Sequence, residues 1–197
     1  MNKKITLGVL ALAIAILAVI LMRSANKGGE DAGNTFVDEQ KRMSGPCPGT
    51  TEIIEMKDSA MPKSMPVGKK FKLLPNWYTC HEVKQGDLVY FRFSSSIDPV
   101  VRKVAGVPGK DFKLIQNKKD KNWNIEIDGD LLKDPGKDAH FFGSEHQTLI
   151  GLYEKSNKGK LMPRNYLVFS EESPGEKDSG TLGVVNSDDF LGKVEAE

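Results

Sequence analysis

The chain carries no surplus of charge of either sign: 28 Lys and Arg stand against 27 Asp and Glu, a formal net charge of +1 over 197 residues. Without a basic excess there is little to neutralise phosphates, and a nucleic-acid partner is not expected. Cysteine is scarce. Cys47 and Cys80 are the only two, no Cys-x-x-Cys pair exists, and a thiol redox motif is therefore excluded. The three histidines, His81, His140 and His146, lack metal-ligand spacing, and each reads as a surface or turn residue. His81-Glu82 has no second histidine four residues on, so the zinc-peptidase helix is missing; Gly106-Val-Pro-Gly-Lys110 is too short for a phosphate loop and lacks its Ser or Thr. Ser24-Ala-Asn-Lys27 matches the Ser-x-x-Lys pattern of penicillin-binding proteins without the partner motifs, and reads as chance. No cofactor is expected.

One long hydrophobic run is present, from Ile5 to Met22, uncharged and with Thr6 as its single polar side chain. Its length is just enough to span a bilayer core. Lys3 and Lys4 precede it, and the positive-inside rule then keeps the N-terminus cytoplasmic and exports the rest. A cleaved secretory signal is the alternative, but Leu21-Met22-Arg23 makes a poor cleavage context. The expected localisation is the cytoplasmic (inner) membrane, single-pass, with the C-terminal domain periplasmic. An oxidising compartment permits a disulfide, and two cysteines allow only one pairing.

The expected organisation is a transmembrane anchor over 1–22, a flexible linker over 23–49 and an exported β-rich domain over 50–197. The linker is rich in Gly, Asn, Asp and Glu and too poor in apolar groups to fold alone. After it come short β-type runs: Asp87–Phe93, Val100–Val107, Trp123–Asp128 with strict alternation, and Tyr166–Phe169. No amphipathic helix of useful length is evident, and one short helix or irregular insert is expected between Leu131 and Ser156. The fold class is mainly β.

Six pieces stand in a recognisable order: Ser64-Met-Pro-Val-Gly68, Lys84-Gln-Gly-Asp-Leu-Val-Tyr-Phe91, Val100-Val-Arg-Lys-Val-Ala-Gly-Val-Pro-Gly109, Gly159–Pro163 with Tyr166–Phe169, Asp178-Ser-Gly-Thr-Leu-Gly183, and Phe190-Leu-Gly-Lys193. Together they resemble the type I signal peptidases, membrane-anchored β-fold serine peptidases with a Ser/Lys dyad. The spacing of Ser64, Pro66 and Gly68 is most similar to the conjugative-transfer branch, the TraF-type pilin-processing peptidases. The resemblance implies Ser64 as nucleophile, Lys103 as general base and Asp178 as the acidic brace of the basic pair. It implies an exported precursor as partner, such as a pilin, together with membrane lipid and conjugation or secretion machinery.

The dyad makes chemical sense. A serine hydroxyl needs a neighbouring base, and a lysine serves only when neutral, which burial among apolar groups favours. Val100, Val101, Val104 and Ala105 offer such surroundings. The backbone N–H of Ser64 would face the developing oxyanion, while Met65 and Pro66 would stiffen the turn and dip into lipid. Ser59 is a rival nucleophile: its distance to Pro62 equals that of the general bacterial enzymes.

One departure from the family pattern is large. The family has lysine then arginine before the Gly-x-Pro-Gly turn; this chain reads Arg102-Lys103. Strand side chains alternate faces, so simple register puts Arg102 at the base position, and arginine does not deprotonate in proteins. Three arrangements are open: a bulge that turns Lys103 toward Ser64, a different lysine such as Lys63 or Lys69, or a non-catalytic relative that binds exported substrates without cutting them. Gly180 also replaces an arginine of the family pattern.

Overall fold

A computed structural model of the protein describes residues 49–94, 98–135, 139–143 and 147–195. The expected anchor, the linker up to Pro48, Cys47 and His146 lie outside the described residues. Cys80 is disulfide-bonded.

Ten strands are described: β1 (Glu52–Glu55), β2 (Lys70–Pro75), β3 (Leu88–Phe91), β4 (Val100–Gly106), β5 (Phe112–Gln116), β6 (Trp123–Ile127), β7 (Asp130–Leu131), β8 (Asn165–Phe169), β9 (Val185–Asn186) and β10 (Phe190–Glu195). Two α-helices join them, α1 (Gln147–Ser156) and α2 (Ser179–Leu182). Seven strands form one antiparallel sheet in the order β1-β2-β10-β3-β4-β8-β9, and β5-β6-β7 form a smaller one. The mainly β architecture agrees with the alternating and β-branched runs of the sequence.

Each expected run carries a strand, and the burial explains the pattern. In β3 Val89 and Phe91 are buried while Leu88 and Tyr90 are half-buried, the period-2 signature of one covered face. β4 is buried at every position except Lys103, as suits a central strand covered on both faces. Its side chains divide among three apolar clusters. Val100 and Val104 join Val89, Phe91 and Val168; Val101 joins the loop methionines and Phe71; Ala105 joins Phe112, Ile125, Phe142 and Phe169. β4 is thus the partition of the molecule.

The helix α1 falls within the stretch from Leu131 to Ser156 where one short helix or irregular insert is expected, although the sequence shows no amphipathic pattern there. It buries Ile150 and Gly151 but leaves Leu149 and Leu152 exposed. With apolar residues on the solvent side, the 3.6-residue stripe that marks an amphipathic helix is blurred.

Candidate functional site

The site is built on the loop between β1 and β2. Met56 N–H donates to Lys69 O at 3.0 Å and Gly68 N–H to Met56 O at 2.8 Å, closing the loop at its base. Gly68 sits at φ +80°, the left-handed region that glycine enters without steric cost. Inside the loop Met56, Met61 and Met65 are buried against Phe71, Leu73, Val101 and Val194. Met65 is therefore a core anchor, 0% exposed, and the expectation that it dips into lipid is corrected; Val67, next along, is 58% exposed. Met65 N–H donates to Met61 O at 2.7 Å and tightens the turn that carries Ser64.

Ser64 is half-buried, and its partner is a residue the sequence reading did not single out. Its hydroxyl donates to Glu171 Oε1, its backbone N–H to Glu171 Oε2 at 2.9 Å, and the N–H of Lys63 reaches the same oxygen at 2.8 Å. Glu171 is 5% exposed, follows β8, and donates its own N–H to Ala60 O at 2.8 Å. Four bonds thus tie the end of β8 to the serine loop. The donor expected for an oxyanion, the Ser64 N–H, already holds a carboxylate, and a developing negative charge there would meet a like charge. The sequence signal was slight: Glu171-Glu172 one residue after an apolar strand.

Arg102 and Lys103 take opposite faces of β4. Pairing with β3 is regular from Val100 to Lys103, and the register shift toward β8 falls between Val104 and Gly106. The bulge that would have turned Lys103 inward is therefore not at the pair. Arg102 is 1% exposed. Its Nη1 pairs with Asp58 Oδ2 at 2.7 Å and donates to Val101 O at 2.6 Å, while Nε and Nη2 donate to Glu176 O at 3.2 and 2.6 Å. A guanidinium presents its donors as a fixed fork, which this ring of acceptors fills. Lys103 is exposed rather than enclosed by the flanking valines, and it makes no hydrogen bond to Ser64 among the described residues. Lys63 directs its ammonium to Pro135 O.

Asp178 is buried, but its carboxylate bonds neither member of the basic pair among the described residues. Oδ1 accepts from Gly180 N–H at 2.9 Å, capping α2, and Oδ2 accepts from the N–H and hydroxyl of Ser170 at 3.2 and 3.0 Å. The expected brace to Arg102 comes instead from the Glu176 carbonyl of the same segment. Gly175 makes that segment possible: any Cβ there would overlap the Asp178 carboxylate and Ser170 Oγ.

Ser59, the rival nucleophile, is exposed. It lines a groove of about 660 Å³ with Asp58, Tyr90, Arg102, Glu176 and Lys177. On the other side of β4, Lys103 and Glu171 line a separate cleft of about 330 Å³. Of the histidines, His140 departs from the surface or turn reading, while half-buried His81 sits in a bend. His81 stacks on Trp77 with centroids 3.6 Å apart, and His140 is 1% exposed, with Nδ1 2.6 Å from Asp134 Oδ1.

Residues 49–197 match the family model of peptidase S26, described as signal peptidase. Signal peptidase IB of Staphylococcus aureus, in strains Mu50, N315 and MW2, is 22% identical over 146 residues, covering 71% of this chain and 73% of that protein. A crystal structure of a signal peptidase I from Enterococcus faecalis V583 is similar with a TM-score of 0.40 and 16% identity, over 58% of this chain and 98% of that one.

Proposed function

The chain belongs to the S26 signal peptidase family, and we propose that it engages exported precursor proteins in the groove beside Ser59 and Arg102 without hydrolysing them through a Ser/Lys dyad. Arg102 carries this reading. It stands at the register position the family gives to lysine, it is buried, and each nitrogen of its guanidinium is bonded to Asp58 or to a backbone carbonyl. A permanently protonated group cannot take the proton from a serine. The groove keeps what binding needs: exposed Ser59, the aromatic Tyr90, and the open backbone of the β1 edge strand, which an extended segment can pair with. In this reading Ile5 to Met22 holds the domain on the outer face of the cytoplasmic membrane, where precursors emerge.

The test uses a synthetic precursor peptide with an apolar run followed by Ala-x-Ala. Wild type is expected to bind it, seen as a rise in fluorescence anisotropy, and to leave it intact by mass spectrometry. Cleavage by wild type that Ser64→Ala abolishes would overturn the reading, as would an absence of binding.

One observation favours a second reading, a serine endopeptidase acting at Ser64. The hydroxyl is already bonded to Glu171, a carboxylate able to accept its proton, and Lys103 lines the same cleft as Glu171. A conjugative pilin as substrate, with cleavage or cyclisation, belongs with this reading, because it rests on the Ser64 spacing. Loss of cleavage in both Ser64→Ala and Glu171→Gln would support it.

A further inference from the structure

The cleft on the Lys103 side of β4 contains a feature that neither reading above uses. His140 is 1% exposed and lines the cleft. Its Nδ1 is held by Asp134 Oδ1 at 2.6 Å, and Asp134 Oδ2 accepts from the Ser173 hydroxyl at 2.7 Å. Ser173 Oγ in turn accepts the N–H of Phe141 at 2.9 Å. The ring is thus locked from one side. Its other nitrogen, Nε2, is buried and has no hydrogen-bond partner among the described residues. A buried polar atom left unpaired is costly, and one on a residue that lines a cleft calls for a partner the described residues do not supply.

The charges of the cleft narrow the ligand. Lys110 is paired with Asp128, and Glu171 is committed to the serine loop. That leaves two ammonium groups, Lys103 and Lys133, and one carboxylate, Asp130, all three lining the cleft without an ion pair among the described residues. The rest of the lining is mixed: Gln85 and Ser170 are polar, while Ala105, Leu132 and Phe169 supply apolar surface. A volume of about 330 Å³ is at the small end of ligand pockets.

We propose that this cleft binds a carboxylate attached to a small apolar body, the carboxylate meeting Lys103, Lys133 and His140 Nε2 and the apolar part resting on Ala105, Leu132 and Phe169. The C-terminal residue of a peptide and a free branched-chain acid share this chemistry. Binding here is independent of the groove at Ser59, which lies across β4.

The experiment titrates the full chain in detergent micelles with acetyl-Ala-Leu bearing a free carboxylate, with its C-terminal amide, and with 4-methylpentanoate. Calorimetry gives the affinity and backbone amide NMR shifts give the location. The free acid is expected to bind at least about tenfold more tightly than the amide and to shift Ala105 and Phe169. The double variant Lys103→Gln/Lys133→Gln, with both changes at cleft-lining lysines that make no ion pair, is expected to lose about tenfold or more of that affinity while keeping the same melting temperature. His140→Gln should weaken binding as well. Equal affinity of 4-methylpentanoate would assign the site to free acids; much weaker binding would assign it to a chain terminus. The proposal fails if acid and amide bind alike, if the double variant binds like wild type, or if the shifts fall outside the cleft.

Discussion

Ser59 and Ser64 lie on one loop, yet β4 gives them opposite surroundings. Ser59 is exposed in a groove with an arginine that is fully bonded and buried. Ser64 is half-buried and held by a glutamate, and that glutamate lines the cleft whose one exposed β4 residue is a lysine. The cause is the alternation of a strand: adjacent residues Arg102 and Lys103 point to opposite faces. Reversing the family's Lys-Arg order therefore moves the lysine out of one chamber and into the other. A single exchange of neighbours thus puts Lys103 in the other cavity from the serine with the family's general spacing.

The sharpest way to break this comparison is to remove Arg102. Arg102→Ala strips the partner from Asp58 and leaves the carbonyls of Val101 and Glu176 unsatisfied. Losing one partner of a buried pair costs about 3 kcal/mol or more. Asp58, whose side chain is 26% exposed, regains some water, which sets the expectation at the lower end. Arg102→Lys keeps the charge but not the fork, and should cost about half as much. Urea unfolding of both variants checks the order.

Glu171→Gln tests the other chamber. It keeps the shape and removes the charge from three bonds made by Lys63 and Ser64. Charge-assisted bonds are the stronger kind, and about 1–2 kcal/mol is expected from their weakening. Faster hydrogen exchange should be confined to the serine loop, with the Ser59 groove unchanged. Exchange rising equally in both chambers would mean that β4 does not separate them.

Asp178→Ala asks whether that carboxylate serves the basic pair or its own segment. As the cap of α2 and partner of Ser170 it should cost about 1–2 kcal/mol. Its effect should add to that of Arg102→Ala, since the two side chains share no bond. A coupling between them in a double-mutant cycle would restore the bracing role read from the sequence.

These contrasts show what a sequence can and cannot reveal. The strands were legible because β-branched and aromatic residues alternate in them, and that Arg102 and Lys103 take opposite faces followed from strand parity alone. Glu171 was not legible, because its partnership with Ser64 spans the chain from the first loop to the end of β8, and no local spacing encodes such a meeting. Met65 was misread for a related reason. A methionine beside a proline in a loop looks exposed until the sheet beneath it, Phe71, Val101 and Val194, is in place. His140 likewise needed the fold to bring Asp134 and Ser173 around it.

The smallest effect belongs to the rim of the cleft. Lys110 and Asp128, with side chains 42% and 40% exposed, are bonded to each other, which raises the lysine and lowers the aspartate from their ordinary values. For Asp128, whose folded value is depressed, the contribution to stability is present above the ordinary carboxylate range and lost as pH falls through the lowered value. For Lys110, whose folded value is raised, it is present below the ordinary lysine range and lost as pH rises through the raised one. At neutral pH both hold, but solvent and salt screen an exposed pair. Lys110→Ala should therefore leave the melting temperature nearly unchanged in 0.5 M salt, by the short screening length there. At low salt any difference should vanish below the carboxylate range. A large loss at neutral pH in high salt would mean that this rim pair is structural, and that the cleft it borders is held open by more than the strands behind it.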